Sequence, residues 1–98
     1  MNYSKLDYFI TIAETGNLTK AAENLYVSQP SLSQYLKRLE NSLGAELFDR
    51  NSSPLRLTYA GEKYYAYAID ARRRSEASSL PAVRWSIRKM LRRHRFYQ

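Results

Sequence analysis

The stretch from Thr19 to Leu43, TKAAENLYVSQPSLSQYLKRLENSL, limits the possible folds more than any other part of the chain. It reads as two helices joined by a tight corner. Thr19 is placed to cap the first, with Ala21, Ala22 and Leu25 along one side; a Thr hydroxyl there accepts a bond from an otherwise unpaired N–H of the first turn. The corner is Tyr26-Val27, where a positive φ is expected and is costly for a bulky side chain. The second helix opens at Ser28-Gln29-Pro30, with Ser28 as N-cap and Pro30 in the first turn, where a missing N–H costs nothing. Leu32, Leu36, Leu39 and Leu43 then recur at helical spacing and form an apolar stripe. The opposite face carries Pro30, Gln34, Lys37 and Asn41, flanked by Gln29 and Ser33. Amides, a hydroxyl and a cation on one face can meet base edges and phosphates. A short helix, a tight turn and a second helix with a polar outer N-terminal half make a helix-turn-helix. Two amphipathic helices with a corner also occur in proteins that touch no nucleic acid, so a protein–protein adaptor stands as the alternative.

The rest of the chain is read around this unit. Ser4 and Asp7 have the spacing of a capping box for a first helix. Leu6, Phe9, Ile10 and Ala13 are its expected buried face, and Gly16 its stop. Gly44 ends the second helix of the motif. Leu47-Phe48-Asp49-Arg50 and Leu55-Arg56-Leu57 read as short strands around Asn51-Ser52-Ser53-Pro54, a run of turn formers. This is a small hairpin, a wing, with Arg50 and Arg56 placed to touch phosphates or simply solvated. Thr58 is placed to cap a fourth helix from Tyr59 to about Ser78, along which Ala60, Tyr64, Tyr67, Ala68 and Ala71 follow at helical spacing. That stripe has more apolar surface than a three-helix core can cover, with packing only within its own chain as the alternative.

Charge divides the chain. Residues 1–70 hold seven Lys and Arg against eight Asp and Glu, net −1; residues 71–98 hold nine against one, net +8. The overall +7 therefore says nothing about the helix-turn-helix, whose attraction to phosphate must come from where its few cations sit. No cysteine is present, and the single His94 lies among arginines, so neither disulfides nor a metal site is expected, and no cofactor. No run of 18 apolar residues occurs, so no membrane segment is expected and the cytoplasm is the default compartment. No Ser–His–acid set, paired-acid signature or phosphate loop supports an enzyme.

Leu6-Asp7-Tyr8-Phe9, Gly16-Asn17-Leu18-Thr19-Lys20-Ala21-Ala22, Leu25 to Ser33, Leu39-Glu40, Leu43-Gly44, Leu47-Phe48-Asp49-Arg50 and Leu57-Thr58-Tyr59-Ala60-Gly61, in this order, resemble the N-terminal DNA-binding domain of LysR-type transcriptional regulators. The resemblance covers roughly residues 2–70. It implies a mainly α fold, a winged helix-turn-helix with a three-helix core and a two-stranded wing, followed by a long linker helix that pairs with its twin. Residues 1–58 are then the DNA-binding domain, 59–78 the linker and dimerisation helix, and 79–98 a basic tail. The family continues into a large effector-binding portion, and nothing in this chain matches it, so no small-molecule effector site is expected here. A regulator lacking that portion would act as a passive competitor for DNA sites.

The partners expected are double-stranded DNA and a second copy of the chain. Gln29, Pro30, Ser33 and Gln34 are assigned to bases, because a Gln amide pairs with adenine in two places. Lys37, Arg50 and Arg56 are assigned to phosphates, with Thr19 and Ser31 as hydroxyl donors. Ala60, Tyr64, Tyr67, Ala68 and Ala71 are assigned to the dimer interface. The family often carries a further basic residue at the wing tip, where this chain has Ser52 and Ser53.

Overall fold

A computed structural model describes residues 4–74. The elements run α1 (Lys5–Thr15), α2 (Leu18–Leu25), α3 (Gln29–Leu43), β1 (Phe48–Asp49), β2 (Arg56–Leu57) and α4 (Tyr59–Arg74). The continuation of α4 towards Ser78 and the basic tail lie outside the described residues.

Each helix boundary has a local cause. The Ser4 hydroxyl accepts from the Asp7 N–H while Asp7 accepts from the Ser4 N–H, the reciprocal box that starts α1. Gly16 ends it at φ 65°, and a side chain there would also press on Pro54. The start of α2 corrects the sequence reading. Its N-cap is Asn17, whose Oδ1 accepts from the Lys20 N–H at 2.9 Å, and Thr19 lies inside the first turn. Two capping residues stood two positions apart, and the amide one, immediately after the Gly16 turn, took the role. Ser28 and Pro30 open α3 as expected, and Gly44 closes it. Thr58 caps α4 by accepting from the Gly61 N–H, and its own hydroxyl donates to the Glu46 carbonyl.

The core lies where α1 meets its neighbours. Phe9 packs edge-on against Tyr64 at 4.9 Å between ring centres and against Phe48 at 5.4 Å. Leu32, Leu36, Leu39 and Leu43 are all buried, so the apolar stripe of α3 faces inward as its spacing dictates. On α1 the buried set is Leu6, Phe9, Ile10 and Ile12, with Ala13 only half-buried. The difference from expectation arises because α1 is packed by both α2 and α4, which widens its apolar face. The wing is shorter than its sequence suggested: β1 and β2 pair antiparallel over Phe48–Leu57 and Asp49–Arg56 alone. Leu47 and Phe48 are both fully buried, so the chain enters the wing as core rather than as an alternating strand.

The fourth helix brings the largest correction. Tyr64, Ala68 and Ala71, assigned to a dimer seam, are buried against the rest of their own chain, with Ala68 at 0 % exposure. Ala60 and Tyr67 are half-buried beside them. The stripe that looked too long for a small core is instead the face by which α4 docks on α1. Gly61 lets the start of α4 sit against the base of the wing, because a Cβ there would overlap the Leu47 carbonyl. Arg72 reaches to 3.5 Å from Asp7 and adds a weak, partly exposed ion pair between α4 and α1.

Candidate nucleic-acid interface

With the Leu stripe of α3 inward, its opposite side is necessarily outward. Pro30, Gln34, Lys37 and Asn41 are exposed, and Gln29 and Ser33 are half-buried on the flank. The Gln29 Nε2 donates to the Ser33 Oγ at 3.2 Å, one helical turn on, so the two assigned base readers orient each other. At the helix start the Ser28 Oγ accepts from the Ser31 N–H and donates to the Ser31 Oγ at 2.8 Å. Ser31 and Thr19 are exposed, the latter in the first turn of α2.

The corner takes the backbone form its geometry demands. Tyr26 adopts φ 59°, ψ 40°, and is the non-glycine residue in that region among the described residues. The Val27 N–H reaches back to the Ala22 carbonyl at 3.0 Å, which closes α2 and turns the chain into α3. The Tyr26 side chain itself is 79 % exposed.

The wing arginines differ from each other. Arg56 is exposed on β2. Arg50, expected as a solvated or phosphate-facing cation, has a protein partner: its Nη2 donates to the Glu40 Oε1 at 2.7 Å. Glu40 is nearly buried, and a buried carboxylate needs a charge partner and hydrogen bonds. Its other oxygen accepts from the Leu47 N–H at 2.7 Å. Sequence reasoning missed Glu40. A signal was present, since it lies four residues after Leu36 and three before Leu43, at the edge of the apolar stripe.

Between the outer side of α3 and the base of the wing runs an open groove of about 600 Å³, lined by Ser33, Lys37, Asn41, Glu46 and Arg50 among others. Of the assigned residues, Ser33, Lys37 and Arg50 line this groove, while Gln29, Pro30 and Gln34 lie on α3 outside its lining. No group of three or more His, Cys, Asp or Glu able to hold a metal occurs among the described residues, and none of their helices is long and apolar enough to cross a membrane.

The family model for bacterial regulatory helix-turn-helix proteins of the lysR family matches residues 3–62. The chain is 41 % identical over 69 residues to the transcriptional regulator BenM of Acinetobacter baylyi, covering 70 % of this chain and 23 % of BenM. It is 44 % identical over 77 residues to the regulator BsdA of Bacillus subtilis, covering 78 % of this chain and 27 % of BsdA. The chain therefore spans about a quarter of the length of these curated relatives. Among solved structures it is similar to the BenM DNA-binding domain in complex with benA site 1 DNA, with a TM-score of 0.71 at 34 % identity over 88 % of this chain and 97 % of that one. It is equally similar to Vibrio fischeri DarR in complex with DNA, with a TM-score of 0.70 at 34 % identity over 88 % of this chain and 30 % of that one.

Proposed function

This chain belongs to the LysR family of bacterial helix-turn-helix regulators and carries its sequence-specific DNA-binding domain for transcriptional control, and we propose that two copies read one duplex together. The N-terminal half of α3 enters the major groove. Gln29, Pro30, Ser33 and Gln34 meet base edges, and the Gln29–Ser33 bond narrows the amide's choice of orientation before DNA arrives. Lys37 and Arg56 neutralise phosphates, and Thr19 and Ser31 donate to them. The observation that carries this reading is the division of α3 into a buried leucine side and an outward side of amides, hydroxyl and one cation.

Dimerisation follows from charge. Residues 1–58 hold six Lys and Arg balanced by six Asp and Glu, so one copy has little general attraction for phosphate. Two linked copies gain by effective concentration, and a two-fold dimer matches a palindromic site. With Tyr64, Ala68 and Ala71 in the core, the side of α4 left to a second copy carries Tyr59, Glu62, Ala66, Ile69 and Arg73, again at helical spacing. An isologous contact brings each residue of that face near its own symmetry mate's surface. The working place is the bacterial cytoplasm, where the DNA is.

The test separates reading from attraction. Gln29→Ala and Ser33→Ala weaken binding to the preferred site by about 1–3 kcal/mol and leave non-specific affinity nearly unchanged. Lys37→Ala weakens binding to all duplexes alike and reduces the salt slope by about one. Identical behaviour of both kinds of variant on every duplex would remove the base-reading assignment.

A further inference from the structure

A hairpin whose strands pair over two residues each cannot set its own orientation. The wing must be held from its base, and the structure shows how. The Leu47 carbonyl accepts from the Thr58 N–H at 3.0 Å, and the Thr58 hydroxyl donates to the Glu46 carbonyl. These contacts tie the wing's two ends to each other. One side chain ties the wing to α3. Glu40, in the C-terminal half of α3, accepts from the Leu47 N–H through one carboxylate oxygen and from Arg50 through the other, both at 2.7 Å. Its side chain is 10 % exposed and that of Arg50 43 %. The first strand of the wing is thus pinned at both ends to one carboxylate on the recognition helix.

Resting on the DNA-reading assignment above, we propose that Glu40 is a positioning residue that sets the wing's angle to α3, and that Arg50 acts through it rather than by neutralising a phosphate. The charge balance supports this. Counterions are released from DNA by cations that replace them at phosphates. A guanidinium with a buried carboxylate at 2.7 Å already has its counter-charge, and leaving that carboxylate unpaired is costly. Lys37, exposed across the same groove, makes no ion pair among the described residues and is the cation available to the strand lying there.

The experiment measures affinity against salt for the full chain on a selected duplex and a random one, with hydroxyl-radical footprinting of the selected duplex. Lys37→Ala sets the scale, lowering the slope by about 0.9 for one phosphate. Arg50→Gln is expected to leave the slope at its wild-type value while erasing protection of the sugars under the wing. Glu40→Gln keeps an acceptor for the Leu47 N–H but releases Arg50. It is expected to raise the slope by about 0.9, tighten binding to the random duplex and blur the wing's footprint. A fall in slope for Arg50→Gln equal to that for Lys37→Ala overturns the proposal, as does a Glu40→Gln protein with wild-type slope and footprint. The double variant Glu40→Gln/Arg50→Gln leaves neither an unpaired carboxylate nor a freed cation, so it decides the matter if either single variant unfolds: it is expected to keep the wild-type slope and lose the wing's footprint, and a slope lowered as in Lys37→Ala overturns the proposal. A wild-type chain with no salt-dependent binding would refute the DNA-reading assignment itself, a distinct result.

Discussion

Replacing Ala68 by Glu distinguishes a core position from an interface position. Ala68 is fully buried between α4 and α1, close to the Phe9–Tyr64 contact. A carboxylate there has two costs. Overpacking a filled site costs about 1–3 kcal/mol. Burying an unpaired charge costs several kcal/mol more after relaxation. Together they reach at least about 5 kcal/mol, against a total of roughly 4–10 kcal/mol for a domain of some 70 residues. Ala68→Glu is therefore expected to unfold the domain or detach α4, seen as loss of the cooperative melt by circular dichroism. Ala66→Glu is the control on the outward side of α4, where the residue is exposed. A surface change of that kind shifts stability by within about 0.5 kcal/mol. It is expected to keep the melt and, by placing two carboxylates in one two-fold contact, to convert dimer to monomer in sedimentation. A folded, monomeric Ala68→Glu chain would refute this assignment of the two faces.

Gly61→Ala is expected to destabilise strongly, because its Cβ would overlap the Leu47 carbonyl and push α4 away from the wing's base; an unchanged melting temperature would contradict that packing. Tyr26→Asn is expected to raise stability by about 0.5–1 kcal/mol in chemical denaturation, since Asn accepts the left-handed region more readily than a bulky residue. A loss of stability would show that the exposed ring contributes more than its backbone costs. Deleting residues 79–98, which carry most of the net positive charge, is expected to lower salt-sensitive affinity for random duplexes and to leave site preference and melting temperature nearly intact. A large fall in melting temperature would mean that this segment contributes to the fold.

Much of this was legible in the sequence because periodicity and caps act locally. The Leu32–Leu43 stripe, the Ser28-Gln29-Pro30 start, the Ser4–Asp7 box and the stops at Gly16 and Gly44 each follow from residues a few positions apart. The costly positive φ at Tyr26 was readable too, from its place between two helices. What escaped depends on distant partners. Helical spacing showed that Tyr64, Ala68 and Ala71 share a face, but not whether α1 or a second chain covers it. Glu40 looked like any polar residue near a helix end until the fold brought Leu47 and Arg50 to it. Thr19 is the cap the sequence suggests for α2, but Asn17 takes that role because it is where the Gly16 turn releases the chain.

The central claim is that α3 reads sequence on a duplex held by two copies of the chain. The direct measurement is a salt-dependent binding titration against a random-site duplex library, with sequencing of the bound fraction at each salt concentration. The account predicts enrichment of an inverted repeat whose half-sites lie about one helical turn apart, with preference persisting as salt rises and random-duplex binding falls away. Equal affinity for all duplexes at every salt concentration, or enrichment of a single half-site alone, would contradict it.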